Sequence, residues 1–332
     1  MSSIISAIGE PKVSKIKFGV FLPFYAFQNS KTATSAQLFN RVRDVALECE
    51  RLGYDSVWLD DHLMFQKAPI LESWTTLSAL AAATARIRLG TMVTSAGFRN
   101  PALLAKMAAT VDVISGGRLE FGIGAGIQKE EALAYGISFP EPRLRIQRMK
   151  ESVEIVKKLW TEEKASYSGK HYEIFEAVCE PKPLQKPHPL ITIGGCGEEL
   201  TLKVTSQYAD RFDFGYLPSI EQFKHKLQIL EDHCKAVGRN FLDIEKSCWP
   251  AGQIITASNQ MELEKKTQRL KPKNVTREAF GKNSFVGTPE QCLDQLQSYS
   301  KLGVTYFMLF FGDLPNTSGL QLFAEAVAKL IR

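Results

Sequence analysis

The feature that most constrains this chain is a regular alternation of short apolar runs with longer amphipathic stretches, kept from Ile16 to the C-terminus. The apolar runs are Ile16–Leu22, Asp55–Leu59, Ile87–Val93, Arg118–Ile123, Leu190–Ile193, Arg211–Phe214, a strand within Lys246–Thr256, and Val304–Phe311. Between the first two, apolar residues fall at Leu38, Val42, Val45, Ala46, Cys49 and Leu52, one stripe of a helix that Gly53 stops. Helix starts are signalled by Asn100-Pro101, by Ser219-x-x-Gln222 and by Thr288-Pro-Glu-Gln291. Strands alternating with helices predict a parallel sheet, and eight is the number that closes into a (β/α)8 TIM barrel with insertions. Periodicity does not see closure, so an open doubly wound sheet is the alternative.

Composition narrows the functional classes. The 332 residues are 44% hydrophobic and 23% charged, a profile that excludes a disordered or disulfide-stapled chain. No stretch approaches about 18 uninterrupted apolar residues, so no membrane partner is expected. A net charge of +5 is too weak to argue for nucleic acid. Most of it lies between Met261 and Phe285, where seven basic residues face three acidic ones. This basic loop, near 257–287, reads either as a solvated excursion or as a lid attracting an anionic ligand. A second insertion is expected near 166–189, where Tyr, Gly and Pro interrupt the alternation, within one domain spanning 1–332. The six cysteines form no C-x-x-C pair, and Ile4–Ile8 is too short for a secretory core, so a cytoplasmic protein is expected.

A barrel of this kind carries its chemistry at the C-terminal ends of its strands. His62 is the one histidine at such a position, directly after Asp60 and Asp61. An imidazole there can exchange a proton near neutral pH, and a flanking carboxylate can orient it. No further ligands converge on it in sequence, so no metal is expected. Strand four runs into Gly122-Ile-Gly-Ala-Gly126 and strand five into Gly194-Gly-Cys-Gly197. The first has the spacing G-x-G-x-G and follows the wrong strand for a dinucleotide fingerprint. Either turn can bring backbone amides close to an anion or flat ring, or can simply need positive φ. Two of them in one barrel favour a phosphate-bearing cofactor. Trp58, Trp74 and Trp160 read as core, and Trp249, beside Pro250, as more open.

Taken in order, Asp55-Ser-Val-Trp-Leu-Asp-Asp-His62, Ile87-Arg-Leu-Gly-Thr-Met-Val93, Arg99-Asn-Pro-Ala-Leu-Leu-Ala-Lys106, Val113 through Gly126, Pro181-Lys-Pro-Leu-Gln185, Ile193-Gly-Gly-Cys-Gly-Glu198 and Tyr208-Ala-Asp210 resemble the bacterial-luciferase-like superfamily. Within it they are similar to the branch of oxidoreductases that use the deazaflavin coenzyme F420. The resemblance covers Ile16 to about Gly312 and implies a barrel with a flavin-type ring across its strand ends. It implies that Asp61 helps hold the deazaflavin and that His62 is proton donor or acceptor. It places cofactor contacts at Met92, Val93 and Ser95, with a non-prolyl cis peptide at Met92–Val93. Further contacts fall at Gly124, Ala125, Gly126 and Ile127, and a phosphate turn at Gly195, Cys196 and Gly197. A relative that oxidises a sugar phosphate has a Glu where this chain has Ile127 or Gln128. The resemblance also implies a small-molecule substrate and a homodimer. The alternatives are an FMN-dependent monooxygenase on the same barrel and a non-catalytic flavin-binding protein.

Overall fold

A computed structural model describes residues 15–28, 35–65 and 68–331. The Ile4–Ile8 stretch lies outside the described residues. The barrel strands are β1 (Lys17–Phe21), β2 (Ser56–Leu59), β3 (Arg88–Thr91) with its short continuation β4 (Thr94–Ser95), and β5 (Leu119–Gly124). An antiparallel hairpin, β6 (Ala165–Ser168) and β7 (Glu173–Ala177), stands outside the barrel. The ring resumes with β8 (Ile191–Gly194), β9 (Arg211–Asp213) and β10 (Glu245–Cys248). After it come β11 (Gln253–Thr256) and β12 (Ser284–Gly287), and β13 (Tyr306–Leu309) completes the barrel. β1 pairs in parallel with both β2 and β13, and β3 with β5, so the sheet is closed and the open alternative is excluded. Strands covered on both faces need no polar alternation. Every residue of β2, β5 and β13 is buried.

The helices follow the local signals. α1 (Leu38–Leu52) ends where Gly53 takes a left-handed φ of 80°. α2 (Ser73–Ala83) packs beside α3 (Pro101–Ile114), whose first turn is capped by the Asn100 side chain accepting the Ala102 and Leu103 amides. The short α4 (Lys129–Ala134) and long α5 (Pro142–Thr161) follow β5, and α6 (Thr201–Tyr208) follows β8. Trp58, Trp74 and Trp160 are buried, as read from sequence, while Trp249 is half-exposed.

Two expectations are corrected. The strand placed within Lys246–Thr256 is two strands, because Trp249-Pro250-Ala251-Gly252 turns the chain out of the barrel between β10 and β11. The basic segment near 257–287 is not a loop: it folds as two helices, Gln260–Leu270 and Arg277–Asn283, bracketed by β11 and β12 in parallel. Ile255, Ala257, Leu263 and Phe280 give it a small core of its own, invisible among the charges when the stretch is read by composition. Lys266, one of its basic residues, pairs with buried Asp313 at 2.6 Å.

The N-terminal end of the barrel is built around charge. Glu120 meets Arg88 and, at 2.8 Å, Arg211. Arg211 also pairs with Glu245 at 2.6 Å, and Glu245 with Lys17 at 2.9 Å. Burial alone would raise the Glu120 carboxyl, but the Arg211 and Arg88 charges overrule it and hold it below the ordinary range.

Candidate active site

The site begins with a valine. After β3 the Met92–Val93 peptide is cis, and the chain resumes as β4. The Val93 side chain lies across the mouth against three glycines. A Cβ on Gly124 would stand 2.6 Å from Val93 Cγ2, one on Gly194 2.8 Å from Val93 Cγ1, and one on Gly122 3.1 Å from Cγ1. The two shorter separations are not found for real side chains, so the glycines at 124 and 194 are in part room for Val93, while at Gly122 the Thr91 carbonyl oxygen is the closer obstacle.

The three residues after β2 go to three different partners. Asp60 turns inward, accepting the Phe24 amide at 3.1 Å through Oδ1, while Oδ2 is buried without a partner among the described residues. Burial pushes its carboxyl up to about 6, against the pull of the Phe24 amide and of nearby His62. Asp61 is bound by Arg99, whose Nη1 and Nη2 donate at 2.8 and 2.9 Å, and by the Ser95 amide at 2.9 Å. Both of its oxygens are therefore taken, and its carboxylate ties β4 and Arg99 together instead of reaching for a ligand. His62 is oriented by neither aspartate. Its Nδ1 stands 2.9 Å from Oε2 of Glu131 in α4, whose other oxygen accepts the amides of Leu63 and, at 3.0 Å, Met64. A carboxylate accepts from Nδ1–H, and whenever the ring is neutral this pairing leaves Nε2 as its basic nitrogen.

These residues border a cavity of about 470 Å³. It is lined by eleven of the twelve residues expected from sequence: Asp61, His62, Met92, Val93, Ser95, Gly124, Ala125, Gly126, Ile127, Gly195 and Cys196. Gly197 is absent from the lining; a Cβ there would meet Thr201 Oγ1 at 3.0 Å. The Gly195 amide is committed to the Asp213 carbonyl at 2.8 Å, whereas those of Cys196 and Gly197 have no intramolecular acceptor among the described residues. These two amides at the start of the turn into α6 suit the phosphate of a cofactor, and the cavity beside them suits a flat ring.

Sequence reasoning missed Glu131, Arg145 and Asp213; Trp249, read from sequence as more open than the core tryptophans, lines the cavity. Asp213 ends β9 and accepts from the Gly215 amide at 2.7 Å and from Trp249 Nε1 at 2.8 Å; burial raises its carboxyl despite those bonds. The strand-end rule that singled out His62 would have found it. Nothing local marks Glu131, whose role depends on how α4 is turned.

This chain belongs to the luciferase-like monooxygenase family, whose description matches residues 16–271. It is similar to an F420-dependent glucose-6-phosphate dehydrogenase of Kineococcus radiotolerans, 35% identical over 191 residues, a stretch spanning 55% of this chain and only 54% of that protein. A protein of the same description from Microbacterium testaceum is 28% identical over 88% of this chain and 94% of its own length. Among solved structures, an F420-dependent secondary alcohol dehydrogenase in complex with an F420-acetone adduct shares the fold, with a TM-score of 0.78 at 20% identity, covering 96% of this chain and 99% of the other.

Proposed function

We propose that this protein is a coenzyme F420-dependent oxidoreductase that moves a hydride between the deazaflavin and a small organic substrate. The observation that carries the reading is the His62–Glu131 pair on a cavity that also reaches Cys196, whose amide is uncommitted among the described residues. The names of the similar dehydrogenases support the choice of cofactor. When bound, the deazaflavin supplies the hydride chemistry.

The chain's own residues do the rest. Cys196 and Gly197 donate their amides to phosphate, and the Met92–Val93 segment with Gly124–Gly126 forms a wall for the ring. Asp61 holds that wall through Ser95 and Arg99. His62 Nε2 takes the hydroxyl proton when a substrate is oxidised and returns it when a carbonyl is reduced. Glu131 keeps the ring in the tautomer this requires. A homodimer in a reducing, cytoplasmic compartment completes the proposal; the six cysteines stand as free thiols.

The first test is a fluorescence titration of the apo-protein with F420 and with FMN at matched salt. Trp249 lines the cavity and is the expected reporter. Quenching by F420 and not by FMN, lost in Trp249→Phe, is the expected result. Tight FMN binding alone would replace the reading with an oxygen-consuming monooxygenase. Tight F420 binding with no turnover of any acceptor would leave a binding protein. Light scattering decides the dimer, and a monomer mass would overturn it.

A further inference from the structure

The mouth of the barrel is divided. Its glycine wall lies at the ends of β5 and β8. Around the ends of β10, β13, β1 and β2 the side chains are rings in unbroken contact. Trp249 meets Phe21 edge-on at 5.2 Å between centroids, and Phe21 meets Phe310 at 6.2 Å. Phe310 meets Tyr25 at 6.2 Å, Tyr25 stacks on Phe65 at 5.1 Å, and Phe65 lies 5.8 Å from the His62 ring. All six are half-buried, none sealed in the core, and both ends of the arc, Trp249 and His62, line the cavity. Edge-to-face contacts hold Phe21 against Trp249 and Phe310, and Phe310 against Tyr25; these middle rings stand beside the cavity lining and not in it, so the arc is an apolar surface that enters the cavity at Trp249 and at His62.

Charge on the same cavity points the same way. Among its described lining residues stand three carboxylates, Asp61, Glu131 and Asp213, and one arginine, Arg145, besides His62 and Cys196; Asp61 is already met by Arg99 behind the wall. The Arg145 guanidinium donates to the Gly126 and Pro140 carbonyls and covers the Phe139 ring at 4.1 Å, on the glycine side and away from the arc. Among the described residues lining the cavity, a substrate phosphate beside His62 would meet no cation and would face the Glu131 carboxylate instead.

We propose that the substrate side of this site takes a neutral carbonyl compound, or the matching alcohol, with a flat aromatic or conjugated body, and not a sugar phosphate. The inference rests on the F420 reading above. In the reducing direction the hydride leaves the reduced deazaflavin and forms a C–H bond at the carbonyl carbon. The C=O π pair moves to oxygen, and that oxygen takes the proton that Nε2 carries once solvent has protonated the ring to the imidazolium, leaving His62 neutral and the cofactor oxidised. The arc orients the carbonyl by stacking on the body of the molecule.

The test uses the F420-loaded protein with trans-cinnamaldehyde, hexanal and, in the oxidising direction, glucose 6-phosphate, followed by deazaflavin absorbance. Calorimetric binding of cinnamyl alcohol to the apo-protein runs in parallel. The KM for cinnamaldehyde should lie about tenfold or more below that for hexanal, with no saturation by glucose 6-phosphate. Phe21→Ala and Phe310→Ala should each weaken cinnamyl binding about tenfold while the F420 Kd stays within about twofold. Phe21→Leu keeps apolar volume but removes the ring face, and should show the same loss without a change in Tm. Saturation by glucose 6-phosphate below the cinnamaldehyde KM, or unchanged cinnamyl binding in the Phe21 and Phe310 variants, overturns the proposal. Failure of F420 to bind while cinnamyl alcohol binds the apo-protein would instead strike the cofactor reading and leave the arc's preference standing.

Discussion

The two ends of the barrel each hold a cavity of comparable size. The N-terminal cavity has a volume of about 560 Å³ and is lined by Lys17, Arg88, Glu120 and Tyr306 among others. The C-terminal one has about 470 Å³. Below, charged groups are spent on one another: Glu120 on two arginines, Glu245 on Arg211 and Lys17, and Arg88 on Gln185 at 2.7 Å and the Leu119 carbonyl at 2.9 Å as well. Above, the Cys196 and Gly197 amides and one oxygen of Asp60 are left over among the described residues. Volume therefore does not distinguish the two ends; the commitment of their charged and backbone polar groups does. The lower end holds the barrel shut, and the upper end is where a ligand can still be bonded.

Three substitutions test that contrast. His62→Ala should lower turnover by about 10²- to 10⁴-fold while F420 affinity and Tm hardly move, since the ring is half-exposed and braces no core. Equal turnover in steady-state assays of the two proteins would take His62 out of the reaction. Glu120→Ala should do the reverse. It leaves Arg211 and Arg88 without their shared counter-charge and should cost about 3–5 kcal/mol in urea unfolding. Turnover per folded molecule should be preserved, and a stable but inactive variant would erase the division between the ends.

The smallest effect is a pH dependence at Asp60. Its carboxyl is raised from 3.8 to about 6 in the folded chain, so the native state binds that proton more tightly than the unfolded one. The stability this contributes is full below about pH 4 and is lost as pH rises through about 6. Asp60→Asn keeps an acceptor for the Phe24 amide and has no charge to bury. Its urea midpoint should gain on the native protein's between pH 4 and 6, and the gap should stay constant above. A gap that shrinks over that range would mean the carboxylate is not desolvated as described.

The barrel could be read in advance because its signals are local. Eight apolar runs, Gly53 after α1 and Asn100 before α3 act within a few residues of themselves. His62 was legible because it follows a strand directly. What hides is whatever depends on a second element. An adjacent aspartate was the natural partner for His62 in sequence, yet Glu131 reaches it from α4, and Asp61 is turned away toward Arg99. The folding of 257–287 hid for a related reason. Four apolar side chains spread among charges declare a core only when β11 and β12 bring them together. The aromatic arc is assembled from the ends of four strands and has no signature in any one of them.

Val93 links positions that are far apart in the chain into one exchange of volume. Because its two methyl groups fill the space that side chains at 124 and 194 would need, neither of those glycines is free to vary while residue 93 stays as it is, whereas Gly122 is held first by the Thr91 carbonyl. A wider mouth, for a bulkier substrate, is reached by first shrinking residue 93, after which alanine becomes admissible at 124 or 194. In the opposite order either alanine forces Val93 to move and should lower the Tm measured by thermal unfolding. Anyone reshaping this pocket inherits that sequence of moves from a single side chain.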